Sequence, residues 1–378
     1  MVFVRALFLT GYNTTMNATF VRVKSTLLRH RKRWLTISFL LGFIIDSITL
    51  NRVDQIFDNV VLATYVLLAM GSLLILYAAS AERLPENMVP FARKYAPLLT
   101  QYAFGGLLSG MLIFYGRSGS WFESWPFLLI ILGVIYGNET IRDRTGRLLF
   151  NIAVLFIGLF SYTVLIVPVV FGVMGAWVFL GSGILALLVM YGFARLLRLV
   201  VPRFISMHWR ELLFTLGIIY AALNFLYFTN IIPPIPLSLK DVGIHHSVLR
   251  FDMGEYQLTY EKPEWWQFFR DSDKVFHYEA DDQIFCFASV FAPARLSTEI
   301  FHRWQRYDEE KGVWVDHSRL SYTIEGGRDS GFRGYTLIKN YSDGDWRCVV
   351  ETARGQVLGS EKFKIESGPK SELVNRIE

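Results

Sequence analysis

The chain has 378 residues, of which 52% are hydrophobic and only 19% are charged. Soluble globular proteins are about one-quarter charged, so this composition argues against an ordinary soluble protein. The charge is also uneven: residues 1–232 carry 19 Lys and Arg against 9 Asp and Glu, whereas residues 233–378 carry 19 against 24. The basic residues lie between apolar runs, where membrane topology explains them. The net positive charge therefore does not indicate a nucleic-acid partner.

Seven apolar segments are candidates for membrane-spanning helices, which need about 20 residues each. They are Trp34–Leu50, Phe57–Ala79, Ala96–Tyr115, Trp121–Tyr136, Leu148–Val169, Val173–Ala194 and Glu211–Ile232. The fifth and sixth share one apolar block, which Pro168 and Gly172 divide by favouring a turn. We therefore predict an all-α transmembrane domain of about seven helices over residues 34–232, after a basic segment, residues 1–33.

Basic residues alternate between the predicted loops. One side of the membrane receives 17 Lys and Arg, and the other receives only Arg52 and Arg117. Cytoplasmic loops are normally the basic ones. The pattern predicts a cytoplasmic N-terminus and a C-terminal region on the opposite side.

A polar cluster lies in and after the first predicted helix: Asp46, Arg52, Asp54, Asp58 and Asn59. Ionisable groups at membrane depth are costly and often functional, so this cluster is a candidate cation site, proton relay or catalytic acid cluster. The structural alternative is that Asp46 pairs with Arg52 or caps the outer hairpin. Weaker candidate partners on later helices are Gln101, Tyr102 and Glu123.

After a Pro-rich linker, residues 233–246, the hydrophobic period changes to two. The candidate strands are Ser247–Phe251, Tyr256–Tyr260, Phe276–Glu279, Gln283–Phe291, Thr298–Tyr307, Val313–Ile324, Phe332–Lys339, Trp346–Thr352 and Val357–Ile365. Turn residues separate these segments and no helical run interrupts them. We predict an all-β, antiparallel, immunoglobulin-like sandwich over residues 247–378.

Aromatic residues and cysteines provide further candidates in the β domain. Trp304, Trp314 and Trp346 alternate with charged neighbours. Core packing is the first interpretation for each, and an aromatic platform for a sugar or peptide is the alternative. Trp265 and Trp266 are the best candidates for exposure, as a platform or as membrane-surface anchors. Cys286 and Cys348 are the only cysteines. Both fall in predicted strands, where they would form a disulfide in an oxidising compartment or remain as two buried thiols.

A Gly-rich turn precedes two arginines. Gly326 and Gly327 permit a tight hairpin, which would bring Arg328 and Arg333 close enough to bind a carboxylate or phosphate. The alternative is pairing inside the domain, with Asp329, Asp343 or Asp345.

Enzyme and metal motifs are missing from the sequence. There is no HExxH, CxxC, GxSxG, GxGxxG or P-loop pattern. His245 and His246 fall in the predicted linker, where solvation is the simpler expectation than metal binding. We therefore expect no cofactor and no metal, and we favour a non-enzymatic role.

Four segments of the β domain carry a combined pattern: Phe301–Trp304, Gly326–Thr336, Gly344–Val350 and Gly355–Gly359, which closes at Phe363. The combined pattern resembles a bacterial C-terminal domain of unknown function. In order, it consists of an H-x-W strand, a Gly- and Arg-rich turn, a G-x-WRV strand and a G-x-x-[LI]-G-x-x-x-F ending. That domain often follows a multi-pass membrane region, and the segment from Gly42 to Asn59 resembles the start of such a region. Cys348 stands where the pattern has Val. The resemblance implies the architecture and no activity.

Together these features predict a bacterial inner-membrane protein that presents a periplasmic β-sandwich to an envelope protein or glycan. The alternative is a transporter or membrane-embedded enzyme that uses Asp46, Arg52, Asp54 and Asp58. The only other partner we predict is the lipid bilayer.

Overall fold

The computed structural model describes residues 44, 46–50, 52–119, 121–140, 144–251, 254–263, 265–266, 271–279, 282–328 and 330–378. Most of the first predicted helix, Trp34–Leu50, lies outside these residues. Its described end is helical over residues 46–49.

The described part of the helical region contains six long helices and one short one. They are α1 (Ile56–Ser80), α2 (Val89–Arg117), α3 (Trp121–Thr140), α4 (Arg144–Phe171), α5 (Ala176–Val200), α6 (Pro202–Met207) and α7 (Trp209–Phe228). Five of them, α1, α2, α4, α5 and α7, are long and apolar enough to cross a membrane. Helix α3 coincides with the fourth predicted span, but its apolar part is shorter, Trp125–Val134.

Glycines allow α1 and α2 to pack closely. Gly106 and Gly110 are spaced as a G-x-x-x-G motif, which lets helices approach each other in membranes. A Cβ atom at Gly106 would lie 2.5 Å from the Tyr65 ring, and one at Gly110 would lie 2.8 Å from Leu62. The outer surface of the helices instead carries large apolar side chains such as Phe214, which is exposed, as expected for a surface in contact with lipid.

The C-terminal region is all β. Its strands are β1 (Ser238–His245), β2 (Ser247–Arg250), β3 (Tyr256–Glu261), β4 (Val275–Tyr278), β5 (Ile284–Phe291), β6 (Ser297–Asp308), β7 (Val313–Glu325), β8 (Phe332–Ile338), β9 (Gly344–Thr352), β10 (Val357–Ser367) and β11 (Leu373–Ile377). Sheet I has the order β1-β5-β8, sheet II the order β4-β10-β9-β6-β7, and sheet III the order β11-β3-β2. Strands β4 and β10 pair in parallel, so the region is not the purely antiparallel sandwich predicted.

Two strands differ from the sequence prediction. Strand β1 occupies most of the segment predicted as a linker, residues 233–246, and β11 follows the last predicted strand. In β1 the alternation of apolar and polar residues is broken at Lys240 and Asp241, where the register against β5 also shifts. A local pattern of period two therefore does not reveal this strand.

Sheets I and II enclose a core that a disulfide crosses. Cys286 on β5 and Cys348 on β9 are bonded, with 6.5 Å between their Cα atoms. Both are fully buried, next to Trp304 and Trp346. Of the two states expected from sequence, the structure has the disulfide.

The β domain rests on one end of the helical region. The Ala294 amide of the β domain donates at 3.2 Å to Oδ2 of Asp54, which lies in the loop before α1. The Gln356 side chain donates to the carbonyl of Ile232 at 3.2 Å, just after α7. The Arg354 guanidinium lies 4.2 Å from the centre of the Tyr227 ring. These contacts fix the β domain against several helix ends.

Candidate functional site

The predicted membrane cluster divides into two parts, and Asp46 belongs to the helix bundle. Its side chain is buried, with only 5% exposed. The Tyr65 hydroxyl donates to Asp46 Oδ1 at 3.2 Å, and the Ser109 hydroxyl donates to Oδ2. Tyr102, one of the weaker candidates, packs edge-to-face against Tyr65 with 5.7 Å between ring centres. Asp46 therefore meets hydroxyl groups of α1 and α2.

The other four cluster residues shape the first loop, residues 50–55, and its junction with α1. Arg52 binds Asp54 through Nε at 2.9 Å and Nη2 at 2.7 Å. The Arg52 backbone amide donates to Asp58 Oδ2 at 2.9 Å. The Asn59 side chain donates to the carbonyl of Val53 at 2.6 Å. Arg52 thus pairs with its near neighbour Asp54, whereas Asp46 accepts hydrogen bonds from Tyr65 and Ser109.

Trp304 packs in the core between the sheets. It is fully buried, and its indole N–H donates to Thr336 Oγ1 at 3.1 Å. The same hydroxyl lies 3.0 Å from His302 Nδ1, while the Tyr322 hydroxyl lies 3.1 Å from His302 Nε2. Burial lowers the pKa of His302 to about 3. Trp304 is thus unsuited to a surface platform.

The remaining sequence candidates lie at the surface or near it. Trp265 and Trp266 are 76% and 59% exposed and pack edge-to-face against each other. Arg333 donates to the Gly254 carbonyl at 3.4 Å, and Arg328 lies 5.6 Å from the centre of the Phe332 ring. Asp329 lies outside the described residues.

Sequence reasoning missed an open groove of about 460 Å³ on sheet II. We call it the sheet II groove. It is lined by Lys274, Tyr307, Trp314, Asp345, Trp346, Lys362, Phe363 and Lys364. Along β10 the side chains alternate, with Lys362 and Lys364 exposed and Phe363 buried, as the pleat of a strand requires. The groove thus combines an aromatic wall with three lysines and one aspartate.

Cationic side chains lie next to the aromatic rings of the groove. Tyr307 and Trp314 are paired across β6 and β7, with 5.2 Å between ring centres. The Arg347 guanidinium lies 4.5 Å from the centre of the Trp314 ring, and the Lys362 ammonium lies 5.8 Å from it. Lys364 is paired with Glu366 at 2.7 Å, which raises the pKa of this lysine.

The sequence carries a partial signal for this groove. Lys362–Ile365 alternates charged and apolar residues, which predicts one solvated face for β10. What the sequence does not give is the pairing of β10 with β9 and of β6 with β7, which brings Trp314 to the lysines.

The donor atoms of Cys286, His302 and Cys348 lie within 4.8 Å of one another, close enough to be considered as metal ligands. Metal ligation by cysteine requires a thiolate, and these two sulfur atoms are joined in a disulfide. The two nitrogens of His302 are also engaged by Thr336 and Tyr322. These residues therefore fit a structural core.

Residues 297–365, which run from the start of β6 almost to the end of β10, match a family model described as "Protein of unknown function (DUF2914)". Among solved structures, Pseudomonas fluorescens alkylpurine DNA glycosylase AlkC bound to DNA containing an abasic site analog is 10% identical. That match covers 84% of this chain and 99% of the glycosylase, with a TM-score of 0.19. A TM-score this low supports no argument about fold or activity. Curated proteins give no significant match. A DUF2914 domain therefore forms the C-terminal part of this chain, after a region with five helices able to span a membrane.

Proposed function

We propose that the chain is a bacterial inner-membrane protein whose periplasmic β domain binds an anionic glycan of the envelope in the sheet II groove. The observation that carries this proposal is the combination, in one groove, of Trp314 and Tyr307 with Lys274, Lys362 and Lys364. Aromatic rings offer a flat apolar surface, which suits the C–H faces of sugar rings. Ammonium groups bind carboxylates and phosphates.

The contacts between the two regions support the proposed orientation. The charge pattern assigns the first loop, the turn after α4 and the end of α7 to one side of the membrane. All three parts contact the β domain. Asp54 of the first loop accepts from Ala294, and Arg354 lies over Tyr227 at the end of α7. In the turn after α4, a Cβ at Gly172 would lie 2.8 Å from the Arg295 carbonyl. The disulfide suits an oxidising compartment such as the periplasm.

The groove favours an acidic ligand over a neutral one. Its lining has three lysines and one aspartate, and Arg347 adds a further cation beside Trp314. Two of the lysines are partly neutralised, by the Lys274–Glu361 pair and by the Lys364–Glu366 pair. These lysines are about half exposed. The Lys364–Glu366 pair is exposed on both sides, and exposed ion pairs are weak, so an anionic ligand can compete for Lys364.

Binding of a uronic-acid oligosaccharide to the purified full chain in detergent tests the proposal, with a neutral oligosaccharide of equal length for comparison. We expect the acidic sugar to bind at least tenfold more tightly. Trp314→Ala and Lys362→Ala/Lys364→Ala should each weaken binding by about tenfold, which corresponds to about 1.4 kcal/mol. The matched control, Lys262→Ala/Lys339→Ala, removes two exposed lysines that do not line the groove and should bind normally.

Equal binding of the neutral sugar, or binding that the groove variants leave unchanged, would refute the proposal.

The orientation in the membrane is tested separately. A phosphatase fused after Glu378, active only in the periplasm, should be active in cells. An inactive phosphatase, together with an active cytoplasmic reporter at the same position, would place the β domain inside.

A further inference from the structure

Asp46 occupies a polar site built from separate helices of the bundle. Tyr65, from α1, donates its hydroxyl to Asp46 Oδ1 at 3.2 Å, and Ser109, from α2, donates to Oδ2. Both carboxylate oxygens are therefore engaged by hydroxyl groups. Asp46 and Ser109 are at least nine-tenths buried.

The close packing of α1 on α2 creates this arrangement. Tyr65 lies directly over Gly106, where any Cβ would come within 2.5 Å of the phenol ring. This glycine lets the ring sink towards the α2 backbone, so that its hydroxyl reaches Asp46. Ser109 lies between Gly106 and Gly110, and its hydroxyl also lies 3.1 Å from the Gly106 carbonyl. The motif that joins the helices thus also positions both hydroxyls.

The site lies inside the bundle, and Asp46 is one helical turn before the end of its own helix at Leu50. Ser109 precedes the end of α2 at Arg117 by eight residues, which is roughly 12 Å along a helix axis. A bare carboxylate at such depth is costly unless it is neutralised by a cation or a proton.

Charged groups near the site have other hydrogen-bond partners among the described residues. Arg117 donates to the carbonyls of Leu50 at 2.7 Å and Ser47 at 3.1 Å, and Arg52 binds Asp54. Asp58 accepts the Arg52 amide. The titratable side chains in contact at the site are Tyr65 of α1, which donates to Asp46, and Tyr102 of α2, which packs against Tyr65. Within the described residues, the partners of Asp46 are hydroxyls alone.

We propose that Asp46 is a reversible proton-binding site within the membrane, with Tyr65 and Ser109 as positioning residues that stabilise its ionised form. When the carboxyl group releases its proton to water, both hydroxyls remain hydrogen-bonded to the carboxylate, so no other group changes its charge. Among the described residues, the oxygen atoms hydrogen-bonded at the site belong to Asp46, Tyr65, Ser109, Gly106 and Tyr102. Hard metal cations such as Ca²⁺ take six to eight oxygen ligands, so this small set suits a proton better.

Labelling of the full chain with dicyclohexylcarbodiimide tests the proposal, because this apolar reagent modifies protonated carboxyl groups inside membranes. The carboxyl group adds across one C=N bond of the reagent and rearranges to a stable acylurea, without a leaving group. Peptide mapping across a pH series should show modification at Asp46 that decreases as the pH rises. Asp46→Asn should abolish it, whereas Asp58→Asn should leave modification at Asp46 unchanged.

The hydroxyl variants distinguish a positioned site from an ordinary buried acid. Tyr65→Phe and Ser109→Ala remove donors to the carboxylate, so each should shift the labelling profile towards higher pH. Gly106→Ala should act in the same direction by displacing Tyr65, whereas Gly71→Ala, which has open space around its Cβ, should not. Absence of labelling at Asp46, a profile unaffected by the hydroxyl variants, or protection by Na⁺ at constant pH would each overturn the proposal.

Discussion

The disulfide between Cys286 and Cys348 gives the most quantitative prediction. The bond joins sheets I and II and closes a loop between residues 62 apart in sequence. The chain-entropy expression for a loop of that length gives about 4 kcal/mol of stabilisation at 25 °C. Cys286→Ala/Cys348→Ala should therefore lower the free energy of unfolding of the β domain by about this amount. Alanine is preferred to serine because both sites are fully buried, where a hydroxyl would lack a partner.

Urea-dependent pulse proteolysis of the full chain in detergent measures this change, with cleavage mapped to the β domain. Since roughly 2 kcal/mol are lost per molar urea for a domain of this size, the midpoint should fall by about 2 M. Wild-type protein treated with a reductant should shift by a similar amount, whereas reductant should leave the double variant unchanged. A shift below about 0.5 M in both the variant and the reduced protein would refute the reasoning.

Two further predictions concern the core of the β domain. Thr336→Val removes the hydroxyl that accepts from the Trp304 N–H and lies beside His302 Nδ1. In the same proteolysis assay it should lower the free energy of unfolding by about 1–3 kcal/mol. Thr336→Ser keeps the hydroxyl and should lower it much less. His302, whose pKa burial lowers to about 3, takes up a proton only when the domain unfolds as the pH falls below its ordinary value near 6.5. The contribution of His302 to the free energy of unfolding is therefore constant above pH 6.5 and becomes destabilising below it. Between pH 6 and 4 the free energy of unfolding of the wild type should fall by about 1.4 kcal/mol per pH unit more than that of His302→Gln. Equal pH slopes in these two proteins would contradict this reasoning.

Hydropathy predicts the helices well because membrane spans are decided by local composition. All six predicted segments within the described residues are helical, from α1 at Ile56–Ser80 to α7 at Trp209–Phe228. The count of seven spans does not follow from the structure, since α3 has a shorter apolar part and Trp34–Leu50 lies largely outside the described residues.

Strands and sites depend more on distant pairing. Strand β11 is stabilised by antiparallel pairing with β3, more than a hundred residues earlier, and its own five residues carry little pattern. Alternation predicts that Trp304 and its neighbours point to opposite faces of β6, but it does not tell which face is covered by sheet I. For the same reason the sequence offers the same two interpretations for Trp304 and Trp314, whereas in the structure Trp304 is buried and Trp314 lines the groove.

The membrane cluster shows how proximity in sequence can mislead. Asp46, Arg52, Asp54 and Asp58 lie within thirteen residues, yet the helix end at Leu50 separates their environments. Asp46 lies one helical turn before that end and faces Tyr65 and Ser109, which are 19 and 63 residues away. Among the described residues its partners are hydroxyls rather than ions, which a search for complementary charges overlooks.

A β domain needs only one helix as an anchor, so the contacts at its base give the larger bundle a physical purpose. The first loop, the turn after α4 and the end of α7 all touch the β domain, which restricts its tilt in a way that a single flexible tether would not. The first loop begins one helical turn after Asp46, and its Asp54 accepts a hydrogen bond from the Ala294 amide. The proposed proton site and the base of the β domain are thus joined by one short segment, residues 46–54. If the bundle served only as an anchor, Asp46→Asn would leave amide exchange at Ala294 unchanged, whereas a bundle that senses protonation would change it.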